Sequence, residues 1–91
     1  MGKKSKPESI LVVKADGTKN FVPLETDALA QLQAIVGGGV AISEMRGLTH
    51  VAVFRNSEGL LKGLPINHYA SSKTYRMVVG DVAIAPRSIL D

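Results

Sequence analysis

Between positions 55 and 76 the chain gathers Arg55, Asn56, Lys62, Asn67, His68, Tyr69, Lys73 and Arg76. Guanidinium and ammonium groups neutralise phosphate, amides and imidazole exchange hydrogen bonds, and a phenol ring offers a stacking face. That inventory suits a phosphate- or sugar-bearing ligand or an acidic protein surface. Against the four cations of segment 55–80 stands one acid, Glu58, whereas segment 7–54 is net acidic by two. Positive charge therefore concentrates on one stretch.

Other chemistries find less support. Phosphate-cradling glycine loops lie between a strand and a helix N-terminus, but Gly37, Gly38 and Gly39 follow a helical pattern and continue as "VAIS", which reads as a helix C-cap. His50 and His68 stand eighteen residues apart with no third ligand in view, so no metal site is expected. Ser71 and Ser72 neighbour His68, yet nothing identifies a group to orient that base. Glu25, Glu44, Glu58 and Asp81 fall in different elements. The chain has no cysteine, which excludes disulfides and thiolate metal sites. No enzyme and no cofactor are expected.

The elements that must position these groups are legible in outline. "ILVVKADGTKNFVPLE" reads as a hairpin turning at Asp16-Gly17 and ending at Pro23. Thr26 is placed to cap the next helix, with Asp27 favourable near its positive end, and Ala28, Leu29, Leu32, Ile35 and Val36 form one apolar stripe. Two strands follow, Val40 to Met45 and Leu48 to Arg55, joined at Arg46-Gly47, and "NSEG" reads as a turn.

Segment 59–72 shows no sustained period and reads as a loop holding one helical turn near Asn67 to Ser71. In it Leu60, Leu61, Leu64 and Ile66 are expected to pin the backbone to the core, Pro65 to stiffen it, and the polar groups to face outward. "TYRMVV" and "VAIA", split by Gly80-Asp81, then read as two last strands. The fold class is α+β: a small antiparallel-rich sheet in the order β-β-α-β-β-loop-β-β with one main helix packed on one face.

Ninety-one residues make one domain, read as 10–87, with a basic disordered tail at 1–9 and a C-terminal tail at 88–91. With two Phe, two Tyr and no Trp, its core must be aliphatic. The net charge of +3 comes from Lys3, Lys4 and Lys6; the remaining eight basic residues balance eight acidic ones. The body is neutral, which argues against nucleic acid as a partner. The apolar run "ILVV" is too short for a signal or a membrane span, so a cytoplasmic location without membrane contact is expected.

Two motifs carry a resemblance. "LQAIVGG", with Leu32, Gln33, Val36, Gly37 and Gly38, and "NSEGLLKGLPIN", with Asn56, Glu58, Gly59, Gly63, Leu64, Pro65 and Asn67, resemble an uncharacterised family of small phage, prophage and mobile-element domains with LQxxVGG and NxEGxxxGLPxN patterns. The likeness spans about residues 10–86. Gly39 departs from it, and His68 to Arg76 follow no fixed pattern of the family.

The resemblance implies a phage-type accessory protein in a host bacterial cytoplasm. Joined to the cationic inventory, it leads to a non-enzymatic counter-defence protein, homo-oligomeric, that sequesters a phosphorylated nucleotide-like ligand. The alternatives are an inhibitor that contacts a host defence protein directly, a weak nucleic-acid binder led by the lysine tail, and a hydrolase of the signal.

Overall fold

The computed structural model describes residues 9–90. Ser9–Val13 (β1) and Lys19–Pro23 (β2) form the first hairpin, and Ala28–Val36 (α1) follows. Val40–Met45 (β3) and Leu48–Asn56 (β4) form the second, irregular at Glu44/Met45. A loop leads to His68–Lys73 (α2), then Val82–Pro86 (β5) and a 3-10 helix at Arg87–Leu90.

The sheet order is β2-β1-β5-β4-β3, antiparallel throughout. The last strand thus lies in the middle and joins the two hairpins. That position explains the unbroken apolar run "VAIA": with both faces covered, a strand loses its alternation. On one face Ile10, Ala52, Phe54, Ala83 and Ala85 pack beneath Leu32 of α1. On the other, Val13, Val53 and Val82 pack beneath Ala70 of α2 and Val78. The core is aliphatic around the buried ring of Phe54, with half-buried Tyr69 packed against the second cluster.

Three expectations are corrected. First, "TYRMVV" is not a strand, and among the described residues the sheet has five strands rather than six. Val78 and Val79 are both buried and so do not alternate. The Val78 N–H donates to Ser71 Oγ at 2.8 Å and its carbonyl accepts from the Asn67 N–H at 2.8 Å, leaving little for a ladder. Only isolated bridges, Met45 with Thr74 and Ile66 with Val79, remain.

Second, the N-cap of α1 is Asp27, whose carboxylate accepts from the Ala30 N–H at 3.0 Å. Thr26 sits one residue too early to serve. Such a cap contributes about 1 kcal/mol. The other end is as expected: Gly37 takes φ 82° and its N–H closes on the Gln33 carbonyl.

Third, the leucines do not pin the loop: Leu60 is 68% and Leu61 88% exposed, and Ile66 is also exposed. Leu64 alone is half-buried, against Gly59 and Gly80. Hydrogen bonds hold the loop instead, from Lys62 N–H to Glu58, Gly63 to Leu60 and Leu64 to Gly59.

The expected helical turn near Asn67 is present as α2. Past Pro86 the chain continues as the 3-10 helix, and Ile89 packs on the α1 side of the core. Of the basic tail, residues 1–8 lie outside the described residues.

Candidate functional site

A cleft of about 340 Å³ opens between the turn that leaves β4 and the segment Arg76 to Val79. The first wall is fixed by Asn56, whose Oδ1 accepts from the Glu58 N–H at 2.7 Å while the Gly59 N–H returns to the Asn56 carbonyl. The second is fixed by two hydroxyls. Ser71 Oγ holds Val78, and buried Thr74 Oγ1 lies 3.0 Å from the carbonyls of both Ala70 and Arg76. The walls meet where Gly59 abuts Val79: a Cβ at 59 would stand 2.7 Å from Val79 Cγ2.

Arg55 and Arg76 both line this cleft. Arg55 reaches it from β4, with Nε donating to Ser43 Oγ of β3 at 2.7 Å. Burial, and then the charge of Arg76, hold the Arg55 guanidinium below its usual pKa. It stays protonated at any ordinary pH, so the two cations face one cleft at a cost. Among the described residues the one salt bridge joins Arg87 to Glu44, at 3.7 Å; Glu58 also lines the cleft, but neither arginine has a carboxylate partner within salt-bridge distance. Leu60, Leu61 and Met77 add exposed apolar surface at the rim.

Of the other residues named from sequence, only Asn56 also lines this cleft, and its amide is spent on the backbone. Asn56 follows Arg55 on one strand, and successive side chains leave a strand on opposite faces. Its Nδ2 accordingly donates to the Val36 carbonyl at the end of α1. Lys62 also leans that way, toward the Gly37 carbonyl at 3.4 Å, where a cation complements the helix end. Asn67 is 1% exposed and internally bonded: Oδ1 caps α2 at the Ala70 N–H, and Nδ2 donates to the carbonyls of Val13 and Gly80, both at 2.9 Å.

Tyr69 and Lys73 form a separate group. Lys73 Nζ lies 5.4 Å from the Tyr69 ring centroid, and Lys19 Nζ from β2 lies 4.4 Å from it. His68 is exposed at the start of α2, and Ser71 and Ser72 spend their hydroxyls on the backbone at Val78 and Tyr69. Seven of the eight therefore fall into an arginine pair, a tyrosine-lysine group and side chains turned to the backbone, Asn56, Lys62 and Asn67, while His68 stands apart.

Sequence reasoning missed Ser43, which orients Arg55, and Lys19, which sheet topology brings over Tyr69. Neither carries a local signal, since each partner is remote in the chain. Among the described residues no three His, Asp or Glu side chains gather as metal ligands, and no helix is long and apolar enough to cross a membrane.

No curated protein and no solved structure matches the chain. Residues 8–88 match the family described as Domain of unknown function (DUF3846), a span that takes in all five strands and both helices, and the chain belongs to that family.

Proposed function

We propose that the chain is a non-enzymatic accessory protein that binds and sequesters a phosphorylated, nucleotide-like ligand in the Arg55–Arg76 cleft. One observation carries this reading: two guanidiniums share a cleft, one of them held and partly buried, with no carboxylate partner among the described residues. A bound phosphate relieves that repulsion and accepts charge-assisted hydrogen bonds from both. The apolar rim gives a base or sugar a place to lie.

The phage setting, the counter-defence role and the bacterial cytoplasm belong to the same proposal and rest on the resemblance of the two motifs. Assembly into a homo-oligomer belongs to it as well, because a second copy closes a cleft that one small domain leaves open. Isothermal titration with phosphate, pyrophosphate and a panel of linear and cyclic nucleotides tests the reading. Heat from at least one nucleotide, lost in Arg55→Met and Arg76→Met, is expected. Silence from the whole panel on a folded sample defeats it.

A second reading, inhibition of a host defence protein by direct contact, is favoured by the exposure of Leu60, Leu61 and Met77 beside the arginines. Apolar side chains ringed by cations are also what an acidic partner surface engages. Pull-down of a stoichiometric protein from bacterial lysate, abolished by Leu61→Asp, supports it over a small ligand. The nucleic-acid reading leans on Lys3, Lys4 and Lys6, outside the described residues.

A further inference from the structure

The arginine cleft does not end at Arg76. On the far side of that residue a second hollow, of about 250 Å³, is lined by Ile42, Ser43, Glu44, Tyr75 and Arg76 itself. Ser43, the hydroxyl that holds Arg55, belongs to this second hollow, so Arg55, Ser43 and Arg76 form a saddle between the two. The saddle carries two guanidiniums, with one carboxylate on each side, Glu58 in the cleft and Glu44, paired to Arg87, in the hollow; each side offers a different surface for a flat group. On one side are Leu60, Leu61 and Met77; on the other is the Tyr75 ring, 71% exposed and steadied by the Arg46 guanidinium 5.5 Å from its centroid.

Size decides what such a surface takes. The smaller hollow falls below the roughly 300–1,000 Å³ that small-molecule sites span, and the cleft sits near the bottom of that range. A ligand that spans Arg76, which lines both, draws on the two together. A mononucleotide fills one side and leaves Tyr75 unused.

Resting on the phosphorylated-ligand reading above, we propose that the occupant is a base–phosphate–base unit. Its bridging phosphate lies on the Arg55–Arg76 saddle, one base lies against the leucine rim and the other against Tyr75. A free dinucleotide and a step within a single strand share this chemistry.

The test compares adenosine monophosphate, the linear dinucleotide ApA and hexa-adenylate by titration calorimetry at fixed salt. The monophosphate carries the greater charge on its phosphate, so tighter binding of ApA comes from its second base. ApA is expected to bind about tenfold more tightly than the monophosphate, in the range that one base stacked on an aromatic ring supplies. Tyr75→Ala is expected to remove that advantage and leave the monophosphate unchanged, and Tyr75→Phe to keep it.

A hexanucleotide no tighter than ApA identifies the free dinucleotide. A tighter one with the same dependence on Tyr75 identifies the strand. Both outcomes sustain the unit. Equal affinity for monophosphate and ApA, or equal weakening of both by Tyr75→Ala, overturns it while leaving the phosphate site standing. Absence of any binding removes the underlying reading itself.

Discussion

Replacing Asn67 with alanine should unfold this protein more readily than any change in the cleft. The side chain is 1% exposed and makes three hydrogen bonds, each to a different part of the chain: the end of β1 at Val13, the turn at Gly80 and the first turn of α2 at Ala70. Losing the cap costs about 1 kcal/mol. Two buried carbonyls lose a donor, at about 1–3 kcal/mol each when no replacement is found. The expected loss is about 3–7 kcal/mol, against a total of roughly 5–14 kcal/mol for a domain of this length.

Urea unfolding followed by circular dichroism reads this directly, with His68→Ala, one residue away and exposed, as the control expected to change stability by less than about 0.5 kcal/mol. Asn67→Asp sharpens the test. It keeps the cap oxygen but turns the other toward two carbonyls, so burial and the carbonyl dipoles raise the new carboxyl's pKa in the folded state. A raised acid pKa means that the folded form binds the extra proton. Stability is therefore retained below the unfolded value near 3.9 and lost as pH rises toward the folded pKa. The variant should be weaker at pH 7 than at pH 4. A loss below about 1 kcal/mol in Asn67→Ala, or no acid recovery in Asn67→Asp, refutes the bracing role.

Other outcomes follow from the same geometry. Arg55→Met should leave the unfolding free energy of the unliganded protein unchanged or raised, since it removes a partly buried charge facing Arg76, while abolishing the stabilisation by phosphate or nucleotide; a matched drop in both denies the cleft its role. Gly80→Ala should cost about 2–4 kcal/mol in urea, because Gly80 holds φ 81° and a Cβ would stand 2.7 Å from Leu64 Cδ1. Asp16 accepts from the Thr18 N–H at 2.9 Å, which holds its carboxyl below the usual range. Its contribution should be present above the unfolded pKa and fade as pH falls through the folded one, so thermal midpoints of wild type and Asp16→Asn should converge in acid.

Much of the framework could be read from sequence because its signals are local. The Asp16-Gly17 turn, the Gly37 cap, the full span of β3 and the helical turn after Asn67 each depend on residues within a few positions of one another. The failures share the opposite property. "TYRMVV" has strand-forming residues, but Ser71 and Asn67 claim the Val78 backbone from outside the segment, and no periodicity within six residues reveals a competitor. Leu60 and Leu61 look like anchors because apolar residues usually are; their exposure follows from a turn closed by its own backbone, which has no need of a core contact.

The site was half legible for a related reason. Asparagine serves a ligand and a buried backbone with the same two groups, an amide donor and a carbonyl acceptor, so composition cannot tell Asn67 the receptor from Asn67 the brace. Arginine differs. Its guanidinium is costly to bury alone, and two sharing one cleft without a carboxylate partner among the described residues form an arrangement that stability alone does not favour. The candidate site therefore narrows from eight residues to the pair whose placement the fold itself does not require. The bracing asparagines are what keep that pair together: Asn56 sets the turn that forms one wall, and the Asn67 amide holds the Gly80 carbonyl, at the end of the Arg76 to Val79 segment that forms the other. Weakening Asn67 should accordingly loosen the cleft before it touches any ligand. An Asn67 variant that stays folded at low temperature should bind nucleotide more weakly, with Arg55 and Arg76 both intact.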